Sequence, residues 1–228
     1  MSTQTIDQKV KEIKQTFRQM MDGATARSMR EKGLDYRLNW GATIPRLRQM
    51  ADEIISEVRG EDKEVPTSHL SFLTSLSIAL WKENVRECKI LATMLMPADE
   101  VPPEVIDIWM EQTPTLEIAE QAAFHLYQHL PYAADKAFEW LASPSDLPQI
   151  CGYHVFSRLF MRGQEPNERG INEFLDQAVT ALSSPPSSEY GLALQKAAMQ
   201  AVIHFADLSL MHRRLAQSAT KRAGLSFL

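Results

Sequence analysis

The sequence predicts an all-α fold, an α-α superhelix of stacked helix pairs forming a curved solenoid, over one domain spanning residues 1–228. Three observations predict it. Apolar residues repeat at helical spacing through almost the whole chain, no alternating strand pattern appears, and the breaks carry helix-boundary chemistry. Ile44, Leu47, Ala51, Ile54 and Ile55 form one stripe, and Ala119, Ala122, Ala123, Leu126 and Leu130 form another. At 228 residues the chain exceeds an average domain, a length that an elongated repeat array absorbs as one unit.

The breaks set the elements. Thr43 with Pro45 starts a helix, Thr67 and Ser68 precede an apolar run, and Thr113-Pro114 opens another helix. Met96-Pro97, Val101-Pro102-Pro103, Ser143-Pro144 and Ser183-Ser184-Pro185-Pro186 divide the rest, so about a dozen helices result. Segments 83–96, 116–130, 146–160 and 188–206 read as second helices of successive pairs, with starts roughly 30 to 40 residues apart. A four-helix bundle with additions is the alternative, but its helices would be longer. The stretch HRRLAQSATKRAGLSFL reads either as a final helix or as a frayed basic tail.

Composition bounds the function. With 44% hydrophobic and 23% charged residues, the chain has enough apolar surface to build a core. Cys88 and Cys151 alone make no disulfide framework and suit a reducing compartment. MSTQTIDQKVKEIKQ lacks a signal peptide's apolar run and no stretch matches a membrane span, so a soluble, cytoplasmic protein without a membrane partner is expected. Residues 1–50 carry ten Lys/Arg against five Asp/Glu, residues 51–207 ten against twenty-four, and residues 208–228 four against none. Any phosphodiester binding is therefore expected to be salt-sensitive and confined to local basic strips.

Nine glycines without GxGxxG or GxxxxGK[ST] leave no phosphate-cradling turn, so no nucleotide cofactor, and no other cofactor, is expected. His125 and His129 have the spacing of a metal pair on one helix, but the intervening residues lack the glutamate of HExxH and no third ligand stands out. No metal site is expected. Cys151 and His154 are a turn apart without an orienting carboxylate or oxyanion donor, and packing explains them more simply. Trp40, Trp81, Trp109 and Trp140 lie beside apolar stripes and read as packing at helix joints, with base stacking as the functional option. Glu83, Glu87, Glu117 and Glu120 read as a solvated face or as a groove lining.

Four segments carry a family likeness: NWGATIPRLRQMA through Trp40, Gly41, Pro45 and Arg48; LSIALWKENVRECKILATMLM through Leu80, Trp81 and Glu87; EWLASPSDLPQICGY through Trp140 and Ser143; EYGLALQKAAMQAV through Gly191, Ala193 and Leu194. In order and spacing they resemble the alkylpurine DNA glycosylases built from HEAT-like repeats, the DNA alkylation repair enzymes. The resemblance implies a cleft where tryptophans contact deoxyribose and backbone, an aspartate stabilises the oxocarbenium and aids water attack, and an arginine grips phosphate. A cationic alkylated base is already a good leaving group, so stabilising the sugar cation carries much of the remaining barrier. By the same resemblance, the catalytic aspartate falls on Glu120 and the tryptophan one turn earlier on Leu116. The phosphate-gripping arginine falls near Gln149 or Ile150, the second tryptophan on Leu192 and a following arginine on Gln195. Leucine offers no indole face to a cation and glutamine neutralises no phosphate, so the fold is better supported than the catalysis.

Two functions follow. One is a duplex-DNA-binding repair-type protein that recognises alkylated purines, an alkylpurine glycosylase or a relative, with Arg27, Arg30, Lys32, Arg37, Arg46, Arg48, Arg213, Arg214, Lys221 and Arg222 on phosphates. The other is a non-catalytic scaffold binding a basic protein or peptide, which the acidic middle segment favours. Basic residues converging on the concave face would favour DNA; Glu83, Glu87, Glu117 and Glu120 dominating there would favour the scaffold.

Overall fold

The computed structural model describes residues 5–34, 36–59 and 67–225, and among them the chain forms twelve α-helices and one 3-10 turn with no strand. These residues fall into two compact units, 1–121 and 122–228.

In the first unit, α1 (Ile6–Gln19) opens with a capping box: the Thr5 hydroxyl accepts from Gln8 N at 3.3 Å and Gln8 Oε1 accepts from Thr5 N at 3.1 Å. It buries Val10, Ile13 and Phe17, one helical face, and packs against α4 (Thr67–Lys82). α2 (Gly23–Glu31) is capped by Asp22 and buries none of its residues. α3 (Ile44–Arg59) buries Leu47, Met50, Ala51 and Ile54, most of the stripe read from the sequence. α5 (Arg86–Leu95) packs on α3 and α4 and is buried along nearly its whole length. α6 (Pro103–Glu111) starts on its proline, whose missing N–H costs nothing at that position. Trp109 of α6 lies flat on Trp81 of α4, centroids 4.2 Å apart and planes 4° apart. The Trp81 indole donates to Gln112 at 3.1 Å, and Lys89 Nζ stands 4.3 Å above the Trp81 ring while donating to its backbone carbonyl at 2.9 Å. α7 (Leu116–His125) begins in this unit and ends in the second.

The second unit holds the 3-10 turn Tyr127–His129, α8 (Ala133–Leu141), α9 (Asp146–Met161), α10 (Glu168–Ser183), α11 (Gly191–Ala206) and α12 (Leu210–Arg222). α9 and α11 are its closest pair and run parallel: Asp146 meets Ser188 just before α11, and eleven residues on Ser157 Oγ lies 2.6 Å from His204 Nδ1. Parallel second helices are what stacked helix pairs require. Small residues on α11, Ala197, Ala198 and Ala201, let the helices approach, and Phe156, Phe160, Phe174 and Phe205 interlock with centroids 5.0–5.6 Å apart. Gly152 serves the same closeness toward α8, because a Cβ there would stand 2.9 Å from the Ala137 carbonyl oxygen.

Two boundaries differ from the sequence expectation, and one open alternative is resolved. The segment expected from 83 starts at Arg86, since Glu83 still closes a turn on the Leu80 carbonyl and Val85 is extended. The segment expected to 130 leaves the α-helix at His125, because Pro131 lies ahead and the chain tightens into the 3-10 turn. His125 and His129 therefore do not share one helix. The basic C-terminal stretch is helical to Arg222; residues 226–228 lie outside the described residues.

Candidate nucleic-acid interface

The residues between α2 and α3 connect a cationic excursion to the core. Gly41 has φ 81°, a conformation that favours glycine, and a Cβ there would stand 2.3 Å from the Asp22 carbonyl oxygen. The turn it allows points the N–H groups of Trp40, Gly41 and Ala42 at one carboxylate oxygen, Glu87 Oε1, at 3.0, 2.9 and 3.2 Å. Glu87 is fully buried and its Oε2 has no hydrogen-bond partner among the described residues. Beside it, Arg86 Nε and Nη2 donate to the two oxygens of Glu117 at 2.8 and 2.6 Å, and Nη1 donates to the Ala42 carbonyl at 2.8 Å. Burial alone would lower the Arg86 pKa; the hydrogen bond and charge of Glu117 outweigh it and hold the guanidinium above its ordinary value. The Tyr36 hydroxyl donates to Glu117 at 2.5 Å and lies 2.9 Å from the Thr115 hydroxyl. Burial, and then the Glu117 charge, push its pKa up.

This network fastens residues 22–38 at both ends. Asp22 N donates to the Trp40 carbonyl at 2.9 Å, and Arg86 N donates to the Leu38 carbonyl at 3.1 Å beside the Tyr36 anchor. Between the fastenings lie exposed Arg27, Arg30, Lys32 and Arg37, none of them in an ion pair among the described residues. Arg27 and Arg30, three apart on α2, share a face. Arg46 and Arg48 are exposed on α3, where Arg46 reaches Gln49 Oε1 at 2.6 Å. In the second unit Arg213, Arg214, Lys221 and Arg222 are exposed on α12, with Arg213 paired to Asp207 at 2.8 Å.

The positions matched to the family's cleft are less equipped. Leu116 and Glu120 are half-buried on α7 in the first unit. Gln149 and Gln195 line one cavity of about 230 Å³ in the second unit, at the starts of α9 and α11. Both amides are turned to the backbone: Gln149 Nε2 donates to the Ser143 carbonyl at 2.6 Å and Gln195 Nε2 to the Ser184 carbonyl at 2.8 Å. Leu192 is 63% exposed one residue past Gly191, which lines that cavity. A larger space in the same unit, about 580 Å³, lies among Gln128, His129, Phe156, Arg162 and Glu165 and touches none of the matched positions.

Other candidates resolve into structure. All four tryptophans are buried, at 1–5% exposure, as joint packing requires. Cys151 is buried and His154 meets the Phe124 ring edge-on at 5.0 Å. Of the four glutamates expected on a solvated or groove face, Glu87 is buried, Glu117 is bound to Arg86, and Glu83 pairs with Lys14 at 2.6 Å. That expectation is corrected for Glu87 and Glu117. Glu87 held a signal, lying within the tryptophan-to-glutamate segment; Tyr36 and Glu117 had none, because their pairing links residues 81 apart.

The DNA alkylation repair enzyme family model matches residues 13–166, more than half of the chain. A solved structure described as "A new family of proteins related to the HEAT-like repeat DNA glycosylases with affinity for branched DNA structures" aligns with a TM-score of 0.72 at 15% identity. The alignment covers 93% of this chain and 82% of that one. Likeness at that identity establishes the HEAT-like fold. No curated protein matches the chain.

Proposed function

Because the chain belongs to the DNA alkylation repair enzyme family, we propose that it binds duplex DNA, including branched duplexes, through its phosphate backbone and does not excise bases. The observation that carries this reading is the segment around α2, a helix with no fully buried residue, held at both ends and bearing Arg27, Arg30, Lys32 and Arg37, four exposed cations without ion pairs among the described residues. A helix with no fully buried residue contributes less to folding than its neighbours, and its cationic face suits phosphate neutralisation. The affinity described for the structural neighbour supports branched DNA as a target.

Leu116 and Leu192 in place of indoles, and Gln149 and Gln195 bonded to carbonyls in place of arginines, support binding without excision. Glu120 is the one carboxylate left to the chemistry. The scaffold alternative has weaker support, since Glu83 and Glu117, which would form part of an acidic groove, are paired with cations and Glu87 is buried.

The test uses purified protein with labelled linear duplex, a four-way junction, and a duplex containing one N7-methylguanine. Expected are binding at low salt, a salt slope shallower by roughly 0.9 for each phosphate contact removed in Arg27→Ala and Arg30→Ala, and abasic sites only at the spontaneous rate. Base release that Glu120→Gln abolishes overturns the non-excising reading. Failure to retard any DNA at low salt overturns the DNA reading altogether.

A further inference from the structure

Resting on that DNA reading, we propose that the first turn of α12 is a wedge that enters an interrupted duplex at a branch point, with Leu210 and Met211 as its tip. These two side chains are 66% and 64% exposed, among the most exposed large apolar groups of the described residues, and they are adjacent. Exposure here does not come from a loose terminus. Ser209 caps the helix, its hydroxyl accepting from His212 N at 3.3 Å and lying 2.7 Å from His212 Nδ1. The opposite ring nitrogen, Nε2, contacts the Glu165 carboxylate, and the imidazole stands edge-on to Phe205 at 4.9 Å and 89°. His212 is thus held by the cap, by the loop before α10 and by α11. Leu210 and Met211, between Ser209 and His212, are held outward by the same fixings.

The surroundings select the occupant. Residues 208–228 contain four cations and no acid. Arg214 stands three and four positions after Met211 and Leu210, on the same side of the helix, and Lys221 continues that side two turns on. The long apolar face that a bilayer-surface helix needs is taken: His212, Ala216 and Thr220 are buried, in a helix packed against α10 and α11. A second protein chain would need roughly 800 Å² per partner, far more than two side chains provide. An apolar tip of two residues flanked by arginine is what separates a base step while phosphates are held on either side.

The full chain is titrated against a labelled four-way junction and a linear duplex of equal length and composition, with 2-aminopurine at the branch in a second junction. Wild type is expected to prefer the junction and to raise the 2-aminopurine signal as the base unstacks. Leu210→Ser with Met211→Ser is expected to lower that preference roughly tenfold and remove the signal, whereas Arg214→Ala weakens both substrates alike. A double variant with unchanged preference and signal overturns the wedge. So does binding of wild type, but not the double variant, to phosphatidylserine vesicles, or a concentration-dependent dimer that the double variant abolishes. Wild type binding neither DNA is a failure of the DNA reading itself, and is separable because the vesicle and dimer arms need no DNA.

Discussion

Glu87 shows how one side chain joins two parts of the sequence. Its carboxylate closes the turn at Trp40–Ala42 while its neighbour Arg86 reaches both Glu117 and the Ala42 carbonyl. Replacing it with alanine leaves the buried N–H groups of Trp40 and Ala42 without an acceptor, Gly41 N keeping its bond to Asn39 Oδ1 at 2.8 Å, and strands Arg86 beside an empty site, so Glu87→Ala should lose about 3–5 kcal/mol in urea denaturation. Glu87→Gln, which keeps an acceptor oxygen, should lose less. Lys89 gives a test by pH. Burial holds its pKa below 10.5, countered in part by Cys88. The unfolded chain thus binds the extra proton between the folded value and 10.5, and the cost of keeping the ammonium charged in the fold is greatest at neutral pH. Lys89→Met removes that cost. Its stability relative to wild type should therefore be most favourable near pH 7 and decline as pH rises toward 10.5, read as the shift between the two denaturation midpoints. A difference that stays constant with pH would refute it.

Elements were legible where an apolar stripe met a break. The segment expected at 146–160 is α9, Asp146–Met161, because Ser-Pro fixed its start and buried residues run through it. α7 was overextended because the stripe continues through Leu126 and Leu130 while Pro131 tightens the backbone first. α2 had no stripe to read; its role rests on fastenings made through Trp40 and Tyr36, and no period in the sequence encodes such pairings. The cations of the candidate interface were legible as charge. The buried network behind them was not, since Arg86 and Glu117 look like surface residues until the fold brings them together. The glycine that closes this fastening is testable. Gly41→Ala meets both a left-handed φ and the Asp22 carbonyl at 2.3 Å, whereas Gly224→Ala has φ 73° and open space. Gly224→Ala should cost roughly 1–2 kcal/mol by chemical denaturation, and Gly41→Ala distinctly more; equal costs would mean the Asp22 contact imposes nothing.

At the scale of the molecule, the charge reading divides a mildly acidic chain into a basic start, an acidic middle and a basic end, so ionic strength, not net charge, is the variable that DNA experiments must control. The two compact units meet in sequence inside α7, and a helix interior is not a domain linker. The single-domain expectation therefore predicts one cooperative transition, with far-UV circular dichroism and tryptophan emission melting together; separated midpoints would divide the chain into two domains. The stacked indoles of Trp81 and Trp109 make that comparison sharper. Two stacked chromophores this close couple their electronic transitions, so the near-ultraviolet dichroism of the folded first unit should change when either indole is removed. Trp140, alone of its kind in the second unit, gives no such pair. The molecule thus contains an optical label for one half of itself, and substituting Trp140 with phenylalanine would leave every remaining indole reporting on that half alone.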